Sequence, residues 1–252
     1  MRKTIHFSVD DFIDAFGWLK ANENTAESIF DAPSFRILKG LHERYDLNVS
    51  CFCFYRKGEF YLSLMPKKWQ EEFQANSGWL RFGFHGYDEH SNYGEVPGEQ
   101  AVGEFDLVTK ELTRITGGGD CITPQLRIHF CSGNETMTAA LAARGVKRLF
   151  CGDDTRINYG LSSQANGELL REGQYCHPEN QLLYSVTHVR LEKMRTAEGV
   201  AAAAERIAGA GEGELVVFTH ECYLTDRNVM GNLERVLGME NALPDVVPGG
   251  RM

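Results

Sequence analysis

The sequence of 252 residues predicts an α/β fold in a single domain, residues 1–252, with (β/α) units around a mostly parallel sheet. Apolar runs rich in Val, Ile, Phe and Leu alternate with longer amphipathic segments, which is the pattern of βα units. Each clear strand is followed by a polar cluster, as at the carboxyl ends of barrel strands. No internal repeat or change in composition marks a linker, so one domain is the simpler arrangement.

The first half of the chain contains three predicted strands and two predicted helices. The first strand is 4–9. The second is the start of 47–64, a segment that continues through a Lys-Gly turn, and the third is the run 78–86, with His85 at its end. One helix begins near Pro33, because apolar residues then recur at intervals of three and four, at Phe35, Leu38, Leu41 and Tyr45. The second helix covers 98–116.

The second half repeats the alternation of strands and helices. The predicted strands are 125–130, 146–154, 181–191 and 214–220, and the predicted helices are 135–145, closed by a glycine, and the alanine-rich 197–210. The last residues, 244–252, are predicted to form a surface end piece. The sequence therefore predicts six or seven strands in total.

The charge balance argues against a nucleic-acid partner. Thirty-five acidic and 26 basic residues give a net charge of −9, and no block of Lys or Arg stands out. No apolar run approaches the roughly 18 residues of a membrane span. The basic N-terminus meets Asp10 before an apolar signal region can develop, so we predict a cytoplasmic protein. No residue pattern reports on the oligomeric state.

The seven cysteines do not indicate a disulfide framework, because their number is odd and a cytoplasmic protein is in a reducing environment. Cys51 and Cys53 lie two residues apart in a strand-like run, without the loop of a metal knuckle. We therefore predict that both are small buried hydrophobic residues.

Ionisable side chains follow five of the predicted strands. They are Asp10 with Asp11, His85, Arg127 with His129, Asp153 with Asp154, and His220. The loops at the carboxyl ends of parallel barrel strands meet at one face, where catalytic groups gather. We therefore expect these side chains to converge on one site.

The adjacent carboxylates of Asp10 and Asp11 predict a divalent metal, because two ionised aspartates at the end of a buried strand need a compensating charge. One aspartate would ligate the metal while the other accepts a proton from a metal-activated water. Imidazoles would supply the remaining ligands, a donor set that favours zinc, with cobalt, nickel, manganese or iron as alternatives. An alternative is that the pair caps the next helix.

Five motifs resemble those of the polysaccharide deacetylases, the NodB-homology or carbohydrate esterase family 4 group of the glycoside hydrolase/deacetylase superfamily. FSVDDF resembles the family's TFDDG motif, and FHGYDEHSN (84–92) resembles the motif that carries two metal-binding histidines. RIHF (127–130), GDD (152–154) and FTH (218–220) resemble its three later motifs, in the family's order. The resemblance spans residues 7 to 220 and implies an irregular (β/α) barrel of about seven parallel strands.

The resemblance also implies a reaction, the hydrolysis of an N- or O-acyl group by a metal-activated water. Asp11, His85 and His90 would hold the metal, and Asp10 would deprotonate the water. This assignment fits the reaction, because the attacking water needs a proton acceptor within reach and the oxyanion that forms needs a Lewis acid.

Three further roles follow from the same resemblance. Arg127 would orient Asp10, and Asp153 or Asp154 would brace Arg127. His220 would protonate the leaving nitrogen or oxygen, although a hydrogen-bonded structural histidine is the competing interpretation.

Three features depart from the family pattern. Four residues separate His85 from His90 where the family has three, and on a helix such a step rotates about 140°. His90 therefore ligates only if this segment is looped, and Glu89, at the usual offset, is the alternative ligand. Phe12 replaces a glycine and His129 replaces a proline, which alters the substrate groove.

The predicted function is a metal-dependent hydrolase that removes an N- or O-acyl group from a carbohydrate or a small amide. Its partner is a small-molecule or carbohydrate substrate, with no nucleic acid and no membrane. The irregular histidine spacing leaves a first alternative, a catalytically inactive relative that binds a carbohydrate or metabolite. A second alternative keeps the metal barrel but changes the reaction, for instance to another amide hydrolysis.

Overall fold

Twelve strands and eight helices alternate along the part of the chain that the computed structural model describes, residues 4–210, 214–240 and 243–244. The strands are β1 (Thr4–Phe12), β2 (Val49–Phe54), β3 (Arg56–Lys57), β4 (Phe60–Tyr61), β5 (Leu80–Gly86), β6 (Gln125–Leu126), β7 (Arg148–Phe150), β8 (Gln174–Cys176), β9 (Leu183–Ser185), β10 (Val189–Arg190), β11 (Glu214–His220) and β12 (Leu243–Pro244). The helices are α1 (Asp14–Ala21), α2 (Pro33–Tyr45), α3 (Gln70–Ala75), α4 (Gly98–Thr116), α5 (Glu135–Ala143), α6 (Ser163–Glu172), α7 (Ala197–Gly209) and α8 (Arg227–Glu240). The predicted end piece lies, from residue 245 on, outside the described residues.

The main sheet has the strand order β10-β11-β1-β2-β5, and every pair along it is parallel. β12 pairs in parallel with the start of β1. All six residues of β2 are buried, including Cys51 and Cys53 as predicted. Burial at successive positions means that both faces of the strand are covered, which is the arrangement of parallel sheets in α/β proteins.

A second sheet, β6-β7-β9-β8, continues beyond β5, with β8 as an antiparallel edge strand. The two sheets meet where Ile122 forms a parallel bridge with Phe82 and the Thr123 N–H donates to the Phe82 carbonyl at 2.9 Å. The prediction of a single strand at 181–191 is wrong, because this segment contains two strands. Its two halves pair with different sheets, β9 with β7 and β10 with β11.

The predicted α/β class with a parallel sheet is confirmed, but the described strands do not form a closed barrel. The predicted strands 125–130 and 146–154 are shorter than expected, because β6 ends at Leu126 and β7 ends at Phe150. Each chain segment leaves its sheet early and enters a loop of the candidate site. None of the helices in the described ranges is long and apolar enough to span a bilayer.

The helices predicted in both halves of the chain coincide with α2, α4, α5 and α7. α2 begins at Pro33, whose ring fixes the first helical φ, and its C-cap residue Asp46 has a φ of 53°. The C-cap residue of α4 is Gly117, where a φ of 80° requires the freedom of glycine. Four of the described helices were not predicted, namely α1, α3, α6 and α8.

A cluster of five buried phenylalanines packs the helices against the sheet beneath the candidate site. Their ring centroids lie 5.3 to 6.3 Å apart at Phe12, Phe16, Phe35, Phe73 and Phe82. Offset and edge-to-face pairs of this kind stabilise a core beyond the area that they bury. Phe12, which stands where the family motif has glycine, therefore anchors the residue next to Asp11 in the core.

Candidate metal centre

Two β-bulges at the ends of neighbouring strands position Asp11 and His85. In the β1–β2 ladder, Asp10 and Asp11 lie opposite a single residue of β2. In the β2–β5 ladder, His85 is an extra residue without a partner in β2. Asp11 also has a φ of 55°, in the left-handed region that aspartate tolerates better than most residues. Bulges redirect side chains, and here both turn a side chain of the candidate cluster out of the sheet pattern.

His129 joins these two side chains from a turn that follows β6. Asp11, His85 and His129 each offer one ligand atom, and the three atoms lie within 4.8 Å of one another. The turn is strained, because Phe130 and Cys131 have φ values of 58° and 51°. Such conformations persist where the surroundings enforce them, often at functional sites.

The hydrogen bonds of both histidines leave their Nε2 atoms free for a metal. Nδ1 of His85 lies 2.5 Å from the Arg127 carbonyl, and Nδ1 of His129 lies 3.1 Å from the Ser91 carbonyl. A carbonyl only accepts, so each Nδ1 carries a proton, and Nε2 of a neutral imidazole then presents a lone pair. Backbone carbonyls orient metal-binding histidines in this way.

One contact in the cluster calls for a cation. Nε2 of His85 lies 3.0 Å from Oδ1 of Asp11, and this buried oxygen has no hydrogen-bond partner among the described residues. With Nδ1 of His85 protonated, two lone pairs face each other unless a positive charge lies near them. The donor set therefore fits a divalent metal.

The ionisation of the cluster suits metal binding as well. Burial raises the pKa of Asp11, but the contact with His85 and the nearby His220 and His129 lower it to about 2. Burial and the neighbouring His85 lower the pKa of His129, although the Ser91 carbonyl opposes this effect. Asp11 is thus ionised and His129 is neutral near neutral pH, the states in which they bind metals.

The structure does not bring His90 or Glu89 to the cluster. The imidazole of His90 is 84% exposed and the side chain of Glu89 is 64% exposed, with 3.7 Å between their charged atoms. The segment is looped, as the spacing required, but its contribution is the Ser91 carbonyl that orients His129. His129 takes the third position that the sequence had assigned to His90.

Arg127 lies where the sequence predicted, against Asp10. Its Nη1 is 3.1 Å from the Asp10 carboxylate, and both side chains are 3% exposed. Ser8 and Thr187, rather than Asp153 or Asp154, hold the guanidinium through contacts of 2.9 Å. The ring of Phe218 lies 4.1 Å from the guanidinium carbon and covers its face.

Asp153 and Asp154 have other partners. The Asp153 carboxylate contacts Lys193 at 2.7 Å, Arg190 at 3.7 Å and Arg206 at 3.8 Å. Burial raises the pKa of Asp153, but the three cations, Lys193 first, lower it below its ordinary value. Asp154 binds the Arg156 guanidinium through both carboxylate oxygens. The predicted brace of Arg127 by either aspartate is therefore absent among the described contacts.

His220 lies beside Asp10, its register partner in the β1–β11 ladder. Its Nδ1 is 2.6 Å from the carboxylate of Glu192. Burial lowers the pKa of His220, but the close contact with Glu192 and the charges of Asp10 and Asp11 raise it above the ordinary value. A histidine with this environment stays protonated to a higher pH and can donate a proton.

Glu221, the residue after His220, caps α1. Its carboxylate accepts the backbone N–H groups of Ile13, Asp14 and Ala15 at 2.7 to 2.8 Å. These are otherwise unpaired donors at the helix N-terminus. The contacts tie the end of β11 to the turn after β1, so they hold the strand ends of the site together. Asp10 and Asp11 do not cap α1, and the capping alternative for this pair is not what the structure has.

A cavity of about 250 Å³ opens onto these groups. Its charged and imidazole lining comprises Asp10, three histidines and three arginines, which are His85, His129, His220, Arg127, Arg156 and Arg190. The cavity therefore places Asp10, His220 and two of the possible metal ligands around one small volume.

Some functional residues were outside the sequence prediction. Glu192 and Thr187 lie outside every motif, and Glu221 follows the FTH motif without being part of it. Only the fold brings these residues to His220, Arg127 and α1. His129 carried a signal, because it shares the two-residue spacing of a strand face with Arg127.

The comparisons with known proteins identify the fold. No family model and no curated protein matches the sequence. The Xyl-CE4 domain of a multidomain xylanase from the hindgut metagenome of Trinervitermes trinervoides matches with a TM-score of 0.52 and 10% identity, over 97% of this chain and 87% of that chain. A probable polysaccharide deacetylase from Pseudomonas aeruginosa PAO1 matches with a TM-score of 0.50 and 12% identity, over 94% and 84%. The chain thus has the fold of carbohydrate esterase family 4 deacetylases, as its motifs predicted.

Proposed function

We propose that the chain is a metal-dependent hydrolase that removes an acyl group from the nitrogen or oxygen of a carbohydrate or small amide. The observation that carries the proposal is the Asp11–His85–His129 cluster beside the Asp10–Arg127 pair. A Lewis-acid site next to a buried, oriented carboxylate is the arrangement that hydrolysis of an acyl group requires.

Asp11, His85 and His129 are the proposed ligands of a divalent metal. Two imidazole nitrogens and one carboxylate oxygen suit zinc, and cobalt, nickel, manganese or iron have similar preferences. When bound, such an ion supplies a Lewis acid that polarises the acyl carbonyl and acidifies water.

Asp10 is the proposed general base. The Arg127 guanidinium holds its carboxylate in one orientation, and Ser8 and Thr187 hold the guanidinium in turn. The Arg127 guanidinium lies on one side of the Asp10 carboxylate. A carboxylate oxygen can therefore accept a proton from the attacking water without leaving its buried position. Positioning of this kind contributes to the rate because the base needs no rearrangement during reaction.

His220 is the proposed general acid. It is adjacent to Asp10 across the β1–β11 ladder, and its imidazole lines the same cavity. Glu192 orients the ring through Nδ1, which leaves Nε2–H to protonate the leaving nitrogen or oxygen. This division of a base and an acid between two neighbouring strands supports acyl transfer to water rather than simple ligand binding.

The pH dependence of kcat gives a test of the acid. Glu192→Gln keeps the shape of the side chain but removes the negative charge that raises the pKa of His220. Because the acid must be protonated, kcat falls as the pH rises through this pKa, and the variant should move that alkaline limb to lower pH. The measurement is a kcat profile against pH, with Glu205→Gln, on the exposed face of α7, as the control. An unmoved limb in Glu192→Gln would remove His220 from this role.

The substrate class follows from two observations. The solved structures of similar fold include a xylanase-associated domain and a probable polysaccharide deacetylase, which supports a carbohydrate. The cavity of about 250 Å³ supports a small molecule. An N-acylated sugar or a comparable small amide satisfies both.

The experiment that tests the function is release of acetate from a panel of small N- and O-acetylated compounds. The purified chain is assayed after chelation and again after reloading with zinc, cobalt or manganese. We expect turnover that is lost on chelation and returns with one of the metals. A binding protein would instead be favoured by two results together. The chain takes up metal but hydrolyses no member of the panel, and the Asp10→Asn variant binds sugars as well as the unsubstituted chain does.

A further inference from the structure

We propose that Arg190 binds an anionic group, a carboxylate or a phosphate, on the small molecule that the metal centre hydrolyses. The inference rests on the proposed function and adds the chemical class of its substrate. It is carried by the position of Arg190 on the wall of the cavity that also holds Asp10 and His220.

The guanidinium of Arg190 lacks short hydrogen bonds. Its Nη2 is 3.7 Å from Asp153 and its Nε is 3.8 Å from Glu192, and both distances exceed those of hydrogen bonds. The Nε atom is buried and has no hydrogen-bond partner among the described residues. Buried donors in folded proteins are nearly always paired, so an arginine in this state has capacity for a further acceptor.

Both acidic neighbours of Arg190 have another basic group closer to them. Asp153 has Lys193 at 2.7 Å as its nearest cation. Glu192 has His220 at 2.6 Å and accepts the Thr219 hydroxyl at 3.0 Å. Arg190 is therefore the nearest basic group of neither carboxylate.

The charge of the cavity favours an anion. Asp10 is the one carboxylate among its lining residues that the structure describes, against Arg127, Arg156 and Arg190. Arg127 is held by Asp10, and Arg156 is held by Asp154 through contacts of 2.6 and 2.8 Å. Arg190 is left as the cation with free capacity, in a chain whose net charge is −9. A local positive site on an acidic protein concentrates an anionic substrate there.

The guanidinium of Arg190 is also held in place for recognition. Its central carbon lies 4.9 Å from the centroid of the Phe218 ring, which also contacts Arg127. Stacking on an aromatic ring fixes the plane of the fork, and a planar fork binds carboxylate or phosphate oxygens in pairs. The volume of about 250 Å³ suits a molecule whose acyl and anionic groups lie a few bonds apart.

The first test is binding and does not depend on turnover. Inorganic phosphate is titrated calorimetrically into the chelator-treated full chain, so that a metal does not contribute. We expect Arg190→Gln to weaken phosphate binding about tenfold or more, the effect of losing hydrogen bonds between charged groups, and Arg190→Lys to weaken it less. The control is Arg171→Gln, whose side chain is 68% exposed and paired with Glu172. Equal affinity in the unsubstituted chain and in both Arg190 variants would overturn the proposal.

The second test compares the metal-loaded chain on pairs of compounds that differ in one anionic group. The pairs are N-acetylglycine with N-acetylglycinamide and N-acetylglucosamine 6-phosphate with N-acetylglucosamine, which separate carboxylate from phosphate. We expect kcat/KM of one anionic member to exceed that of its neutral partner about tenfold, and the ratio to approach one in Arg190→Gln. Hydrolysis with a ratio near one throughout overturns the role of Arg190 and leaves the hydrolase intact. Phosphate binding that depends on Arg190, without hydrolysis of any compound, supports the anion site and counts against the hydrolase.

Discussion

We expect His129→Ala to abolish stoichiometric metal binding and His90→Ala to leave it unchanged. Nε2 of His129 carries a free lone pair within 4.8 Å of the ligand atoms of Asp11 and His85, whereas the His90 imidazole is 84% exposed. Loss of a partner outside the ligand shell already weakens metal affinity about 10- to 100-fold, so loss of a ligand should exceed about 100-fold. The measurement is metal content after dialysis, followed by competition with a chromogenic chelator.

The two variants are a matched pair, because each removes one imidazole from loops that lie on the same side of the sheet. Circular dichroism and a thermal melt of both variants show whether the fold is kept. Asp11→Ala serves as a second ligand variant and should behave like His129→Ala. Retention of the metal in His129→Ala together with its loss in His90→Ala would restore the ligand set that the sequence suggested.

The fold could be predicted from the sequence because strand and helix patterns are local. Parallel strands buried on both faces read as apolar runs, as in β2, and the helices α2 and α4 show intervals of three and four between apolar residues. No such pattern in the sequence indicates that 181–191 divides into β9 and β10. Pairing with different sheets depends on distant strands, and residue spacing within the run does not report it.

The candidate site was predictable to the extent that its residues follow strands. Five of the side chains that follow predicted strands converge as expected, namely Asp10, Asp11, His85, Arg127 and His220. His90 and Asp153 do not take the predicted positions, for reasons that lie in the backbone. A left-handed turn at Phe130 and Cys131 turns His129 inward, and the early end of β7 leaves Asp153 among the cations of β10 and α7. Positive φ values at residues other than glycine carry no signal in composition or periodicity.

The residues that support the site were beyond prediction for a related reason. Glu192 and Glu221 act through hydrogen bonds to groups that are 27 or more positions away in the chain. A single sequence shows only that a carboxylate is present, and most carboxylates are solvated. Their burial beside His220 and the start of α1 is what gives them a role.

Replacement of Asp10 by asparagine should lower kcat about 10²- to 10⁴-fold, the usual contribution of a general base, while the metal content stays the same. An amide is isosteric with the carboxylate but does not accept a proton from water. Asp10 lies next to the proposed ligand Asp11, but its own carboxylate contacts Arg127. Rate and metal binding should therefore separate in this variant, whereas they fall together in His129→Ala.

The same substitution leaves the buried Arg127 without its counterion, so its effect on stability must be measured alongside the rate. Both side chains are 3% exposed, and loss of one partner of such a pair costs about 3–5 kcal/mol in the free energy of unfolding. Asp106→Asn is the matched control, because it breaks an Asp–Arg pair with Arg144 at the surface, which should cost at most about 1 kcal/mol. Denaturant unfolding gives both values, and kcat is measured below the temperature at which either variant begins to unfold. An Asp10→Asn protein that is folded, loaded with metal and within threefold of the original kcat would show that another group takes the proton, since a base that acts in the reaction contributes about 10²-fold or more.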